Sequence, residues 1–381
     1  MINRDRMTDT VLDLLRLDSQ SKAEKPVAEY LVRCLVDLGC DVRVDNAGAG
    51  VRSNSGNVIA KVGATASSAP PLLLSAHMDV VPPGEGVKPV REPERVRSDG
   101  TTILGGDDKT GLAVILEVLR ALRDAQTPHG PLEIAFTICE EIGLLGAKAL
   151  EFDQFHAREA IVLDSCNATE LVTRAPSADR YVFTVHGLEA HAGMFPENGI
   201  SAVRVAAEAI AAMPLGRIDA GTTANVVIAD GPTATNVVPN LCVVRGEARA
   251  IDEARLDEIM RLTRACFTDA AARAKIDLNG QVRRAWVEEQ SSRDYHSFAI
   301  PDSAPIVQLV CGAARRQGTT VKTVTIGGGS DANVFNRHGI ASVNLGTGMR
   351  DIHTVNEWID LADFDRCAQI VLACVKERAA A

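Results

Sequence analysis

Aromatic side chains are scarce in this sequence, and their scarcity argues against several kinds of partner. Only 4% of the 381 residues are Phe, Trp or Tyr, so the stacking surface that binds single-stranded nucleic acid is lacking. The formal net charge of −10 also repels phosphate backbones. We therefore expect no nucleic-acid partner, and we interpret the acidity as a contribution to solubility.

Long apolar runs are missing as well. No stretch approaches the length of about 20 residues that crosses a bilayer, and the opening segment, MINRDRMTDTVLDLLRL, is typical of an amphipathic helix and not of a signal peptide. The nine cysteines are scattered and include no C-x-x-C pair, which is typical of free thiols in a reducing compartment. The sequence thus predicts a cytoplasmic protein without a membrane partner.

The periodic segments predict two domains, as the chain length also suggests. Apolar strands such as LLLSAH and EAIVLDS alternate with helices in the first and last parts of the chain, which indicates an α/β fold. In the middle, DRYVFTVHG alternates like an antiparallel strand, and a single long strand, QVRRAWVEEQ, closes this part. We predict an α/β domain with a mixed sheet flanked by helices, residues 1–176 and 292–381, interrupted by a smaller α+β domain, residues 177–291.

Histidine and acidic residues recur where the apolar strands end. LLLSAHMD places His77 and Asp79 two residues apart, and hence on the same side of an extended chain. LEIAFTICEE ends with Glu140 and Glu141, and EAIVLDS carries Asp164. Buried carboxylates are costly without a partner, and sites in α/β sheets form at the carboxyl ends of the strands. The pattern therefore favours metal ligands at one edge of the sheet.

Two loops add further candidates. ILGGDDKTG contains Asp107 and Asp108, and the polar loop GMRDIHTVNEW contains His353. Each residue alone has an ordinary explanation, because Asp107 or Asp108 could cap the following helix and His77 could be a hydrogen-bonded core histidine. These explanations account poorly for the recurrence of such residues strand after strand.

Six segments occur in an order that resembles a known family over nearly the whole chain. HMDVV, GGDDKTG, EEIGLLGAKAL, VLDS, EAHAG and SDANVF…DIHTVNE resemble the di-zinc exopeptidases, which include peptidase T, glutamate carboxypeptidase, acetylornithine deacetylase and succinyl-diaminopimelate desuccinylase. TTILGGDDKTGLA, PLGRIDAGTTANV and GGGSDANV are most similar to the peptidase T-like aminopeptidases. The resemblance implies a zinc-exopeptidase-type catalytic domain, an inserted lid and dimerisation domain, and cleavage of amide bonds in small peptides.

The same resemblance implies two Zn²⁺ ions per subunit, for which Co²⁺ or Mn²⁺ are possible substitutes because the ligands are N and O atoms. It also implies a cis peptide bond from Asp107 to Asp108. The implied ligands are His77 and Asp164 on one ion, Glu141 and His353 on the other, and Asp107 on both.

Glu140 is implied as the general base, which takes a proton from a metal-activated water and returns it to the leaving amine. Successive side chains of an extended segment point apart, so we expect Glu140 to face the water while Glu141 binds metal. Asp79 is implied to orient His77 through its second ring nitrogen.

The remaining implied site residues concern the substrate. His191, in the inserted domain, would reach into the partner subunit of a homodimer and stabilise the oxyanion. Asn236 and Arg249 match positions that hold the backbone or carboxylate of the substrate. Weaker candidates for the same pocket are Ser330, Asp331 and Asn333.

Two other interpretations stay open. A carboxypeptidase or an N-acyl amino acid deacylase would use the same di-zinc site and differ in the lining of the pocket. An aminopeptidase needs an acceptor for the substrate ammonium, and Asp331 is one candidate. A catalytically silent metal-binding or scaffold protein is disfavoured, because all five implied ligands and Glu140 are present.

Overall fold

A computed structural model describes residues 1–65, 69–231 and 234–380, which form two compact units. Unit 1 comprises Met1–Arg174, Phe298–Ile326 and Ser330–Ala381, and unit 2 comprises Ala175–Ser297 and Gly327–Gly329. Unit 2 thus covers the region predicted as an inserted α+β domain and extends a few residues beyond it. Among the described residues, no helix combines the length and the apolar character that crossing a membrane requires.

Helices and strands alternate through the first part of the chain. The helices are α1 (Arg4–Leu15), α2 (Lys25–Asp37), α3 (Ala47–Val51), α4 (Gly106–Asp124) and α5 (Leu145–Lys148). The strands are β1 (Asp41–Val44), β2 (Val58–Val62), β3 (Leu72–His77), β4 (Val90–Arg91), β5 (Arg95–Arg97), β6 (Leu132–Thr137), β7 (Glu159–Ser165) and β8 (Glu170–Ala175). A short 3₁₀ helix, Phe152–Gln154, precedes β7.

Strands dominate unit 2, where a second 3₁₀ helix spans Pro196–Asn198. The strands are β9 (Ser177–His186), β10 (Gly216–Asp219), β11 (Thr222–Asp230), β12 (Leu241–Ala250), β13 (Lys275–Leu278), β14 (Gln281–Arg284) and β15 (Trp286–Tyr295). Five of these strands form one sheet in the order β10-β11-β12-β9-β15, and β13 pairs with β14 in a separate sheet. Two helices, α6 (Ala202–Ala212) and α7 (Glu253–Arg273), pack against the five-stranded sheet, as the contacts of α7 with β9, β12 and β15 show.

The prediction of a single strand for QVRRAWVEEQ is wrong. The segment is divided at Ala285, where the backbone N–H donates to the carbonyl of Ala274 at 2.9 Å. The part before it, β14, pairs with β13, whereas the part after it, β15, pairs with β9 in another sheet. An unbroken run of strand-forming residues cannot show that its pairing partner changes.

The last part of the chain returns to unit 1. Its elements are β16 (Phe298–Ala299), α8 (Pro305–Arg316), β17 (Lys322–Thr325), α9 (Asp331–Arg337), β18 (Ala341–Gly346), β19 (Met349–Arg350), β20 (Trp358–Asp360) and α10 (Leu361–Ala380). Strands β19 and β20 join β5 and β4 in a small antiparallel sheet, which is absent from the sequence prediction because two- and three-residue strands carry no periodic signal.

The main sheet of unit 1 is mixed, as predicted. Its strands follow the order β1-β2-β6-β3-β7-β18-β8-β16, and β17 pairs with β8. Strands β6, β3, β7 and β18 are mutually parallel, whereas β1 and β2 join the edge in antiparallel fashion. Every residue of β3 and β6 is buried, because helices such as α4 cover the parallel strands. The carboxyl ends of the parallel strands therefore meet at one edge.

Candidate metal centre

The shared edge of the parallel strands in unit 1 collects the residues predicted to bind metal. His77 is the last residue of β3, and Asp164 is the penultimate residue of β7. Glu141 lies in the loop after β6, and Asp107 lies at the start of α4, where its ψ of 104° is non-helical. His353 lies in the loop between β19 and β20. The topology thus brings together residues separated by up to 276 positions in the sequence (353 minus 77).

Asp107 lies between the two histidines. Its Oδ1 is 3.1 Å from Nε2 of His77, and its Oδ2 is 3.2 Å from Nε2 of His353. The same nitrogen of His353 is 3.0 Å from Oε1 of Glu141, and Nε2 of His77 is 4.0 Å from Oδ1 of Asp164. Each histidine is therefore next to one further carboxylate, and both share Asp107.

Ligand atoms also converge in two groups of three. Atoms of His77, Asp107 and Glu141 lie within 4.8 Å of one another, and so do atoms of His77, Asp108 and Asp164. The cis peptide bond expected between Asp107 and Asp108 is present. Asp108 itself is buried and bonded to backbone amides, because its Oδ2 accepts from the N–H of His77 at 3.2 Å and its Oδ1 from that of Gly111 at 3.1 Å. It therefore holds β3 against the first turn of α4.

The electrostatics of this cluster fit divalent cations. Burial raises the pKa of Glu141 and of Asp164, and the carboxylate of Asp107 acts in the same direction on both. Hydrogen bonds to Asp107 and Glu141 raise the pKa of His353 to about 10. Crowded carboxylates beside imidazole nitrogens form the N/O donor set that Zn²⁺ and similar ions prefer. The residues present thus fit the cations that the sequence implies.

The contacts of Asp79 differ from the expected arrangement. Nδ1 of His77 is 2.9 Å from the backbone carbonyl oxygen of Asp79 but 3.6 Å from its carboxylate. The carboxylate accepts hydrogen bonds from the hydroxyl of Ser21 at 2.6 Å and from the N–H groups of Glu140 and Glu141 at 2.8 and 3.2 Å. The carbonyl therefore makes the closer contact with the ring, and the side chain holds the two glutamates.

The sequence predicted an extended strand through Glu140 and Glu141, but the structure does not continue the strand that far. Strand β6 ends at Thr137, and Cys139 has a φ of 52° that turns the chain before the two glutamates. The argument that their side chains alternate as in an extended strand is therefore wrong. Glu140 is 8% exposed, and burial raises its pKa well above the usual range, with Asp331 and Glu141 adding to the effect and His77 opposing it.

Glu357 is a buried residue that the sequence analysis did not identify. Its carboxylate accepts the N–H groups of Leu104, Gly105 and Asp107 at 2.8, 2.7 and 3.1 Å. Burial raises its pKa to about 7. Its position four residues after His353, in TVNEW, is the only sequence signal that could have suggested a role.

Three predicted site residues lie in unit 2. His191 is exposed, and its Nδ1 accepts the N–H groups of Gly193 and Met194 at 3.2 and 3.1 Å. Asn236 is also exposed, and its carbonyl accepts the N–H of Ala192 at 2.9 Å, so the segments of His191 and Asn236 are adjacent. Arg249, on β12, is engaged by the carboxylate of Glu247 through Nε at 2.9 Å and Nη2 at 3.2 Å.

The three weaker candidates lie at the start of α9 in unit 1. Asn333 caps its own helix, because its Oδ1 accepts the N–H of Ser330 at 3.0 Å. Asp331 is 2% exposed, and its Oδ2 accepts the hydroxyl of Thr137 at 2.5 Å. Its Oδ1 is buried and has no hydrogen-bond partner among the residues that the structure describes. Burial raises the pKa of Asp331 to about 6.

The sequence matches a known family, and the structure is similar to solved structures over almost the entire length of both chains. Residues 73–377 match the profile of "Peptidase family M20/M25/M40". The uncharacterized protein YqjE of Bacillus subtilis (strain 168) is 38% identical over 380 residues, which cover 100% of both chains. The crystal structure of aminopeptidase PepT from Bacillus cereus ATCC 10987 has a TM-score of 0.88 and 37% identity, with 99% of each chain covered.

A second crystal structure, of a tripeptidase from Staphylococcus aureus subsp. aureus Mu50, has a TM-score of 0.93 and 34% identity, with 100% of each chain covered. The family resemblance inferred from the sequence motifs is thereby confirmed. The chain belongs to peptidase family M20/M25/M40 and is a metallopeptidase, a hydrolase that cleaves amide bonds.

Proposed function

We propose that the protein is a di-zinc aminopeptidase that removes the N-terminal residue from small peptides, tripeptides above all. The observation that carries the metal part is Asp107, which presents one oxygen to His77 and the other to His353. The aminopeptidase part is supported by the similarity to an aminopeptidase PepT and to a tripeptidase, at 37% and 34% identity over almost the entire chain.

Five residues would bind two cations in this proposal. Zn²⁺ is the favoured ion, with Co²⁺ or Mn²⁺ as substitutes, since the donors are imidazole nitrogens and carboxylate oxygens. Two such cations, when bound, would supply Lewis acidity that lowers the pKa of a water molecule toward about 7 and polarises the scissile carbonyl. The ligands would be His77 and Asp164 for one ion, Glu141 and His353 for the other, and Asp107 for both.

Glu140 would transfer the proton. Its side chain is nearly buried, and its raised pKa suits a carboxylate that takes a proton from water and then releases it to the amine of the departing product. The bond from its N–H to Asp79 at 2.8 Å holds its backbone still while the proton moves. Asp79 would therefore act through the position of Glu140 as well as through the ring of His77.

Asp331 would accept the ammonium group of the substrate. Its buried Oδ1 has no hydrogen-bond partner in the described part of the chain, and a buried acceptor without a partner costs free energy until a donor arrives. An ammonium group carries three donors and a positive charge. This acceptor would favour peptides with a free N-terminus over N-acylated substrates. Arg249 and Asn236, together with Ser330 and Asn333, remain proposals for contacts with the rest of the substrate.

The homodimer remains part of the proposal. In unit 2, β11 extends beyond its pairing with β10, which ends at Ala224, and it exposes Val227 and Ile228 at 55% and 61%. Apolar side chains on such an incompletely paired strand favour burial against a second copy. His191, exposed in the same unit, would then reach the partner's site and stabilise the oxyanion. The nine free cysteines support the proposal that the protein works in the cytoplasm.

An asymmetric substrate distinguishes this function from its alternatives. We expect the zinc-loaded protein to cleave leucyl-glycyl-alanine into leucine and glycyl-alanine, and to leave the N-acetylated tripeptide intact. Release of alanine and leucyl-glycine would establish a carboxypeptidase instead. Hydrolysis of N-acetyl-leucine, without turnover of the free tripeptide, would establish a deacylase. Chromatographic identification of the products separates these three outcomes.

A further inference from the structure

The loop that carries Glu140 and Glu141 is held through four consecutive backbone amides. The N–H groups of residues 138 and 139 donate to the side chains of Asn57 and Glu24, at 3.0 and 3.1 Å. Those of residues 140 and 141 donate to the two carboxylate oxygens of Asp79, at 2.8 and 3.2 Å. Three side chains from distant parts of unit 1 therefore fix the path of this loop.

Among these three side chains, that of Glu24 accepts the most hydrogen bonds. Its side chain is fully buried, and its Oε1 accepts the N–H of Lys22 at 2.8 Å and both the N–H and the thiol of Cys139, at 3.1 and 3.2 Å. Its Oε2 accepts the hydroxyl of Ser53 at 2.6 Å. A buried carboxylate is tolerated only when its oxygens are bonded in this way. Glu24 thus ties the start of α2 and the segment after α3 to the loop after β6.

The residue that Glu24 holds has an unusual backbone conformation. Cys139 has a φ of 52°, and the left-handed region is unfavourable for a residue with a Cβ unless its surroundings enforce it. Both the backbone N–H and the thiol of Cys139 donate hydrogen bonds to Glu24, so this carboxylate stabilises the left-handed conformation. Glu140 follows Cys139 directly, so the turn at Cys139 determines where the backbone of the next two residues runs.

We propose that Glu24 is a positioning residue, which fixes the left-handed turn at Cys139 and thereby places Glu140 and Glu141. The roles of Glu140 as base and of Glu141 as ligand rest on the proposed function. The contacts of Glu24 do not. A misplacement of about 1 Å in a reacting group can reduce turnover about 100-fold, so loss of this carboxylate affects kcat more than KM.

Two variants of Glu24 and one matched control test the proposal. Glu24→Gln keeps an amide oxygen for the N–H of Cys139 and gains an NH₂ group that can donate to the hydroxyl of Ser53, whereas Glu24→Ala removes both acceptors. The control is Glu133→Ala, on the opposite end of β6. Glu133 is equally a buried carboxylate that accepts backbone amides, those of His156 and Ala157, at 2.9 to 3.1 Å.

We expect Glu24→Ala to lower kcat for a tripeptide about 10- to 100-fold with KM within about threefold of the wild type. Glu24→Gln should keep kcat within about threefold, and Glu133→Ala should lower the melting temperature without lowering kcat. Equal kcat values for the Glu24→Ala and Glu133→Ala variants would overturn the positioning role. So would a loss in Glu24→Gln as large as in Glu24→Ala.

A second readout does not depend on activity. Titration of the metal-free protein with Co²⁺ should give the same visible absorption spectrum for the wild type and Glu24→Gln, and an altered spectrum for Glu24→Ala because Glu141 is displaced. Identical spectra for all variants would contradict the proposal. A wild-type protein that binds Co²⁺ yet hydrolyses no peptide would refute the proposed function, and the spectra would still test Glu24.

A further variant covers the case in which Glu24→Ala does not fold. Glu24→Asp keeps the negative charge but shortens the side chain by one methylene group, so it withdraws the acceptor from Cys139. We expect it to show the same fall in kcat and the same change in the Co²⁺ spectrum. Wild-type values for Glu24→Asp in both measurements would overturn the proposal.

Discussion

Glu357 and Asp107 are joined by a hydrogen bond, in which the backbone N–H of Asp107 donates to Oε1 of Glu357 at 3.1 Å. The other oxygen of Glu357 accepts the N–H groups of Leu104 and Gly105. Because Glu357 follows His353 by four residues, one buried carboxylate ties the loop of the central Asp107 to the loop of a histidine. A residue outside the two groups of converging ligand atoms therefore supports the geometry of the candidate metal centre.

Removal of this carboxylate should weaken metal binding. We expect Glu357→Ala to lower the affinity for Zn²⁺ about 10- to 100-fold, the range found for residues that support metal ligands. Glu357→Gln should be intermediate, because its single amide oxygen replaces two acceptors and its NH₂ group faces backbone donors. Competition with a chromogenic chelator measures the affinity, and Glu133→Ala again serves as the control. Wild-type affinity in Glu357→Ala would show that the two loops keep their positions without it.

Replacement of the proposed base should separate binding from chemistry. Glu140→Gln keeps the size of the side chain and the hydrogen bond from its backbone N–H to Asp79, so we expect both metals to remain bound. Its kcat should fall about 10²- to 10⁴-fold, the usual contribution of general acid–base catalysis. Metal analysis and steady-state kinetics on the same preparation give both values. A Glu140→Gln variant with wild-type turnover would assign the proton transfer to another group.

Metal removal should affect stability as well as activity. Asp107, Glu141 and Asp164 are crowded carboxylates, so cations that bind them stabilise the folded state. At a free metal concentration about 100 times Kd this linkage is worth about 2.7 kcal/mol, and chelation should lower the melting temperature accordingly. Hydrolysis should stop and return on addition of Zn²⁺, Co²⁺ or Mn²⁺. Turnover in excess chelator, with an unchanged melting temperature, would contradict a metal-dependent mechanism.

The main sheet and the residues at its edge could be predicted from the sequence for a physical reason. Strands covered on both faces must be apolar throughout, so β3 and β6 appear as continuous apolar runs, and polar residues begin where the cover ends. His77 and Asp164 stand out because they come at those ends. The family resemblance then implied Asp107 and His353, which lie outside the strands of the main sheet, as further candidate ligands.

Other features depend on contacts that no local pattern records. Glu357 accepts amides about 250 positions earlier in the chain, and a buried acceptor of this kind has the same sequence appearance as a surface acid. The turn at Cys139 depends on Glu24, which is 115 positions away. The prediction of an extended chain through Glu140 failed because the tertiary contacts of Cys139 override the strand preference of the local sequence.

Asp331 should influence the choice between free and blocked N-termini. We expect Asp331→Ala to raise KM for leucyl-glycyl-alanine about 10-fold or more, because a hydrogen bond between charged groups contributes about 1.5–3 kcal/mol. Any residual hydrolysis of the N-acetylated tripeptide should not fall. Asp331→Asn keeps the shape and separates loss of charge from loss of packing. Unchanged KM for the free peptide in both variants would remove Asp331 from the substrate site.

The proposed role of His191 across a dimer interface can be tested by mixing subunits. His191→Ala and Glu140→Gln homodimers should each be nearly inactive, since the loss of one oxyanion-stabilising donor costs about 10²–10³ in kcat. In an isologous dimer, random exchange of the two makes half the molecules mixed, and each mixed dimer holds one intact site if His191 acts on its partner. Co-expression should then restore about one quarter of wild-type activity. No recovery would confine His191 to its own subunit, because every site would then carry one of the two defects.

Val227→Lys with Ile228→Lys should abolish the recovery by preventing dimerisation, whereas Val282→Lys, at an equally exposed position of unit 2, should not.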